Sequence, residues 1–155
     1  MPGDRAAPDL GADGLVALRR RWRGLAAPAV EEVAGEWRAS FVGPGWLRWA
    51  GPRGVGALGL PGWEGKRFEL EEDGGLAGTN LVRGGTRLEM AAGLDASAVD
   101  GRPAIVVAYG DAAPLPWRHV RDELRRLDDR RLLAMSLLDV PGGGRGALPF
   151  LLTRA

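Results

Sequence analysis

The chain contains no cysteine, one histidine, one tyrosine and, among 21 basic residues, a single lysine, Lys66. Without thiols there is no disulfide framework and no thiolate metal site, and the composition suits a reducing compartment, so a cytoplasmic location is expected. One histidine, His119, excludes every multi-histidine metal centre, and neither HExxH nor GxSxG occurs. A stretch of about 18 apolar residues is also missing, and the opening MPGDRAAPDLGADG has no apolar core, so neither a membrane span nor a signal peptide is expected. An excess of one charge is lacking too: 21 basic residues face 20 acidic ones, which leaves no global field to draw nucleic acid or an anionic membrane.

What is present is a 155-residue chain rich in glycine, with six tryptophans. That length suits one domain, which at this size buries about two thirds of its unfolded surface. Gly35 to Phe68 holds Trp37, Trp46, Trp49 and Trp63 among turn-formers. Each indole removes roughly 150 to 250 Å² from water when buried, so the four are expected to face inward and either nucleate a core or line a pocket.

Residues 1–12 offer little to bury and read as a loose terminus, with a single domain over 13–155 that opens on a helical lead-in, 13–34. Asp13 is a candidate N-cap for a helix to about Ala26, in which Leu15, Leu18, Trp22 and Leu25 share one face and Arg19, Arg20, Arg21 and Arg23 spread over the others. Pro28 suits the first turn of a short helix, AVEEVA, stopped by Gly35. From Glu36 the period becomes two, with Trp37, Ala39 and Phe41 on one side. Short strands are expected at Trp46 to Ala50, Gly54 to Leu60 and Lys66 to Glu72, then a hairpin around Gly84 and Gly85. Ala104 to Tyr109, Leu132 to Val140 and Leu148 to Thr153 are apolar strands, and PGGGRG is a loop. Over Trp117 to Leu127, the spacing of Val120, Leu124 and Leu127 favours a helix; a strand would put Val120, Asp122, Leu124 and Arg126 on one face.

GVGALG at Gly54, Gly56 and Gly59 matches a dinucleotide fingerprint, but Leu60, Pro61 and Gly62 follow where a helix would have to begin. Ser40, Ser97 and Ser136 have no spacing that supports a triad with His119, which reads as a partly exposed residue near a strand end. Asp122, Glu123, Asp128 and Asp129 interleave with Arg121, Arg125, Arg126, Arg130 and Arg131, the pattern of a cross-strand charge network.

A short helix, then Gly35-Glu36-Trp37, then a series of short strands resembles the calycin pattern of lipocalins and fatty-acid-binding proteins. GEWRA at Gly35, WEGKRF at Trp63, DGRPAIVVAY at Asp100, and VRDELRRLDDRRLLAMSLLD ending near PFLLTR resemble the bacterial GXWXG family with its companion C-terminal domain of unknown function. Ala39 stands where the name-giving motif ends in glycine. The resemblance implies an up-and-down antiparallel lipocalin-like barrel with an N-terminal helix, and structural roles for Gly35, Trp37 and Arg154, the arginine lying over the tryptophan. It also implies that Arg121 to Leu127 is a strand, the reading adopted over the helical spacing, and no established activity.

The expected function is binding of a small apolar or amphipathic molecule, with Trp46, Trp49, Trp63 and Tyr109 as walls and Arg67, Arg125 or Glu123 as polar anchor. No cofactor, metal or nucleic acid is expected. The rival readings are an isomerase- or lyase-like enzyme, which needs a buried carboxylate facing a guanidinium or Tyr109, and a structural barrel with a filled core.

Overall fold

Stretches of period-2 patterning become eight strands, each antiparallel to its sequence neighbours until the last closes on the first. They are β1 (Gly35–Phe41), β2 (Trp63–Leu70), β3 (Leu76–Val82), β4 (Gly85–Ala96), β5 (Pro103–Ala108), β6 (Val120–Arg126), β7 (Arg131–Leu138) and β8 (Leu148–Arg154). The computed structural model describes Leu10, residues 14–138 and residues 147–155. The PGGGRG loop and the Asp13 cap lie outside them. Closure pairs Trp37 of β1 with Arg154 of β8, leaving the barrel without an open edge.

Among the described residues three α-helices dress this wall, α1 (Leu15–Arg23), α2 (Val30–Val33) and α3 (Gly45–Ala57), with a 3-10 turn at Trp117–His119 leading into β6. Helix α1 buries Leu18 and Trp22 against the outside of the barrel, where Leu133, Met135, Leu137 and Leu151 meet them. Leu10, within the stretch expected to be loose, is 3 % exposed and joins this outer cluster. The second cluster, which includes Phe68, Leu76, Ile105, Val107, Leu124, Leu132, Phe150 and Leu152, lies on the inner face of the wall. Strands β6 to β8 are therefore buried on both faces, which explains the nearly continuous apolar character of β7 and β8, whereas β6, VRDELRR, buries charged side chains that pair with one another and with neighbouring segments.

At one end Gly35 adopts φ 117°, a conformation glycine tolerates, and turns the chain from α2 into β1. Trp37 donates its indole N–H to the Val33 carbonyl at 2.8 Å. The Arg154 guanidinium stands 4.3 Å from the Trp37 ring and donates to the carbonyls of Ala34 and Glu32.

The opposite end departs from expectation. The strands expected at Trp46 to Ala50 and Gly54 to Leu60 are one helix, α3, with Gly54 and Gly56 near its end. Leu47, Gly51 and Val55, four apart, form the face turned to the barrel. A Cβ at Gly51 would stand 2.6 Å from the Phe41 ring, so only glycine permits this approach. Packing outweighs the local glycine and proline signal here. The resemblance-based strand at Arg121 to Leu127 is observed as β6, because alternate side chains find cover on both sides of the wall.

Candidate functional site

Alternation along β2 points Lys66 to the same side as Phe68, into the lumen, where it is 1 % exposed. Its ammonium donates to Tyr109 Oη at 2.8 Å and Asn80 Oδ1 at 3.0 Å, and Asp122 Oδ2 lies 3.2 Å away. Tyr109 donates to the same Asp122 oxygen at 3.2 Å, and the Trp63 indole N–H donates to Asn80 Oδ1 at 3.0 Å. Rings surround the cation: the centroids of Tyr109, Trp63 and Phe150 lie 5.3, 5.5 and 5.9 Å from Nζ. The chain's only lysine and only tyrosine thus meet at the centre of the fold.

Two irregularities in the wall help to form the cluster. Pairing between β2 and β3 shifts between Trp63 and Gly65, and pairing between β3 and β4 shifts at Thr79 and Asn80. Opposite the second shift Leu88 takes φ 58°, a strained conformation for leucine, and its carbonyl accepts from Asn80 Nδ2 at 3.4 Å. Bulges of this kind re-aim side chains, here those of Trp63 and Asn80. A lid is formed by Trp117, whose indole packs on Tyr109 at 5.5 Å and donates to the Leu58 carbonyl beyond α3 at 2.7 Å.

The electrostatics of the cluster favour its protonated donors. Burial pushes the Tyr109 phenol up to about 12, the Asp122 charge adds to this, and Lys66 pulls the other way. Burial alone would lower the Lys66 ammonium, but Tyr109 and Asp122 outweigh it and hold it above its ordinary value. The lumen therefore holds a cation and a neutral phenol, both donors, beside a carboxylate.

Of the residues expected to bind, Trp63 and Tyr109 meet in this cluster and the others do not. Trp46 and Trp49 are 59 % and 64 % exposed on the outer face of α3, where helical geometry turns them away from the lumen. Arg67 lies on the outer face of β2, half-exposed and paired with Glu36. Arg125 and Glu123 are wholly buried, but alternation along β6 turns them outward beneath α1 while Asp122 and Leu124 turn inward. Arg125 grips both Asp100 oxygens at 2.7 and 2.8 Å and lies 3.9 Å from the Trp22 ring. Glu123 accepts from Ser97 Oγ at 2.5 Å and the Ala98 amide at 2.7 Å and pairs with Arg121 at 2.9 Å.

Lys66, Asp122, Asn80, Trp117 and Phe150 were not expected at the site. A signal for two existed: the alternation that buries Phe68 also buries Lys66, and the strand reading of β6 puts Asp122 beside Leu124. Among the described residues no group of three or more His, Cys, Asp or Glu is placed to hold a metal.

No family model and no curated protein matches the chain. A solved structure, the crystal structure of a protein from Thermomonospora curvata, is similar over 94 % of this chain and 90 % of that one, with a TM-score of 0.55 and 20 % identity. At that identity the likeness carries the fold alone.

Proposed function

We propose that the chain is a lipocalin-like barrel that binds a small amphipathic molecule in its lumen, anchored by Lys66, Asp122, Tyr109 and Asn80. The observation that carries this reading is an ion pair buried among aromatic rings. Such a pair is a poor source of stability, because desolvation offsets its attraction and apolar replacements are often neutral or better. A polar group of the ligand would exchange hydrogen bonds with the cluster while its apolar part lies against Trp63, Tyr109, Phe150 and Trp117. The likeness of the Gly35 and Trp63 segments to the GXWXG family supports the same architecture.

Native mass spectrometry and tryptophan fluorescence with fatty acids, aromatic acids and aromatic amines test the reading. Uptake by the wild type, reduced at least about tenfold in the Lys66→Met/Asp122→Leu double variant, is the expected result. No uptake, or equal uptake by both, would leave a structural barrel with a filled core.

A second reading is favoured by Tyr109 lying 3.2 Å from Asp122 and 2.8 Å from Lys66. Asp122 would accept a proton from carbon beside a carbonyl, with Tyr109 and Lys66 stabilising the enolate oxygen. Solvent deuterium exchange into a bound ketone, abolished by Asp122→Asn with binding retained, distinguishes catalysis from binding.

A further inference from the structure

The donors of the inner cluster are all engaged with one another. An ammonium carries three N–H groups, and for Lys66 they meet Tyr109 Oη at 2.8 Å, Asn80 Oδ1 at 3.0 Å and Asp122 Oδ2 at 3.2 Å, with the Met90 sulfur a more distant neighbour at 4.0 Å. The Tyr109 hydroxyl is committed to the same Asp122 oxygen. Asn80 is oriented by two donors, the Lys66 ammonium and the Trp63 indole, which both require its oxygen and fill it. The open valence is of the opposite kind. Asp122 Oδ2 accepts twice, whereas Oδ1 accepts nothing among the described residues. Asp122 keeps 4 % of its side-chain surface accessible, and Oδ1 is not one of the described buried side-chain atoms shut off without a partner. Free lone pairs therefore adjoin free space. One Asn80 N–H is left as well, the other donating to the Leu88 carbonyl at 3.4 Å.

We propose that the lumen selects an uncharged molecule whose head is a hydroxyl or an amide group, donating its hydrogen to Asp122 Oδ1, and that it discriminates against carboxylates. This rests on the reading of the lumen as a binding site and names the ligand class that reading leaves open. A carboxylate has no hydrogen to give Oδ1. To be held at all it would have to draw Lys66 away from Tyr109, Asn80 or Asp122, and it would stand as a second anion beside Asp122. An ammonium could donate, but Lys66 and Asp122 already neutralise each other at 3.2 Å. It would enter as an uncompensated charge next to another cation, in a space walled by rings, where desolvation weighs most. A neutral O–H or N–H avoids both costs. The lone pair on the same group suits the remaining Asn80 N–H, and the rings of Trp63, Tyr109 and Phe150 that surround Lys66 are placed to cover the apolar remainder. Selection of this kind is strong where a buried polar atom is left unpaired by the wrong ligand.

The test compares head groups on one skeleton: phenethyl alcohol, phenylacetate and phenethylamine, and in a longer series decanol, decanoate and decylamine. Tryptophan fluorescence and native mass spectrometry of the full chain at neutral pH read the affinities. In whichever series binds, the alcohol is expected to be at least about tenfold tighter than the acid and the amine. In Asp122→Asn the donors Lys66 and Tyr109 keep the amide oxygen at the place of Oδ2, so an NH2 group replaces Oδ1 and the open acceptor becomes a donor. The order of alcohol and acid should then reverse. A melting curve establishes whether that variant is folded, and the wild-type order decides alone if it is not. Acid or amine uptake equal to or tighter than that of the alcohol in the wild type overturns the proposal and leaves the lumen a site for another ligand class. An unchanged order in folded Asp122→Asn overturns it too. Binding of none of these ligands overturns it together with the lumen reading itself.

Discussion

Strand β6 carries a buried ionic group on each of its faces, and the two are built differently. Outside, Arg125 reaches Asp100 and the carbonyls of Pro103, Arg102 and Trp22, and Glu123 holds the Ala98 amide. These bonds tie α1 and the loop between β4 and β5 to the wall. Inside, Lys66, Asp122 and Tyr109 bond only to side chains, and the described backbone contacts of the residues around them are the long bond from Asn80 to Leu88 and that of the Trp117 indole to the Leu58 carbonyl. The outer group holds chain segments in place, as a structural network does. The inner group fastens almost none, which makes the pair in the lumen the better candidate for a ligand site.

The largest effect expected from breaking this contrast is Arg125→Met, which strands Asp100 and several carbonyls. It should cost about 3 to 5 kcal/mol in urea unfolding and make α1 sensitive to proteolysis. Asp122→Asn should cost about 3 kcal/mol by leaving the Lys66 cation uncompensated, with no change in α1 protection. Removing both inner charges in Lys66→Met/Asp122→Leu should return stability to within about 1 kcal/mol of wild type. An outer double variant, Arg125→Met/Asp100→Leu, should not recover to that extent, since the carbonyls stay unpaired. Equal recovery on both sides would erase the distinction.

Titration sharpens the same contrast. Tyr109 is raised, so its share of stability is present below the ordinary phenol value and is lost as pH rises through about 12. Because it is the only tyrosine, phenolate absorbance should climb near pH 12 and not near 10. Asp100 is lowered to about 2 by the Arg125 hydrogen bonds, so its contribution is present above the ordinary carboxylate value and lost as pH falls through about 2. The smallest effect expected is therefore a modest gap in melting temperature between wild type and Asp100→Asn at neutral pH that closes towards pH 2. The inner group weakens at alkaline pH and the outer at acid pH.

The strands were legible because alternation survives in a single sequence. Trp37 with Ala39, the hairpin at Gly84 and the apolar runs of β5, β7 and β8 all carry it. The candidate site was less legible, for a physical reason. Arg125 and Asp122 sit three residues apart in a charge-rich run, and each is buried, but on opposite sides of a wall that α1 covers from without. Helix α3 was missed because its glycines and proline signal turns, and its helical state depends on Leu47, Gly51 and Val55 finding the barrel end.

By itself the sequence determined a β-rich chain without thiol or multi-histidine chemistry, and which residues share a strand face. Only the tertiary structure decided which face looks into the lumen, because an apolar strand face can be buried equally well by the interior or by a helix laid outside. Closure of β8 onto β1 settles that choice, and with it brings Lys66, Tyr109, Asp122 and Asn80, carried on four different strands or their ends, into one cluster.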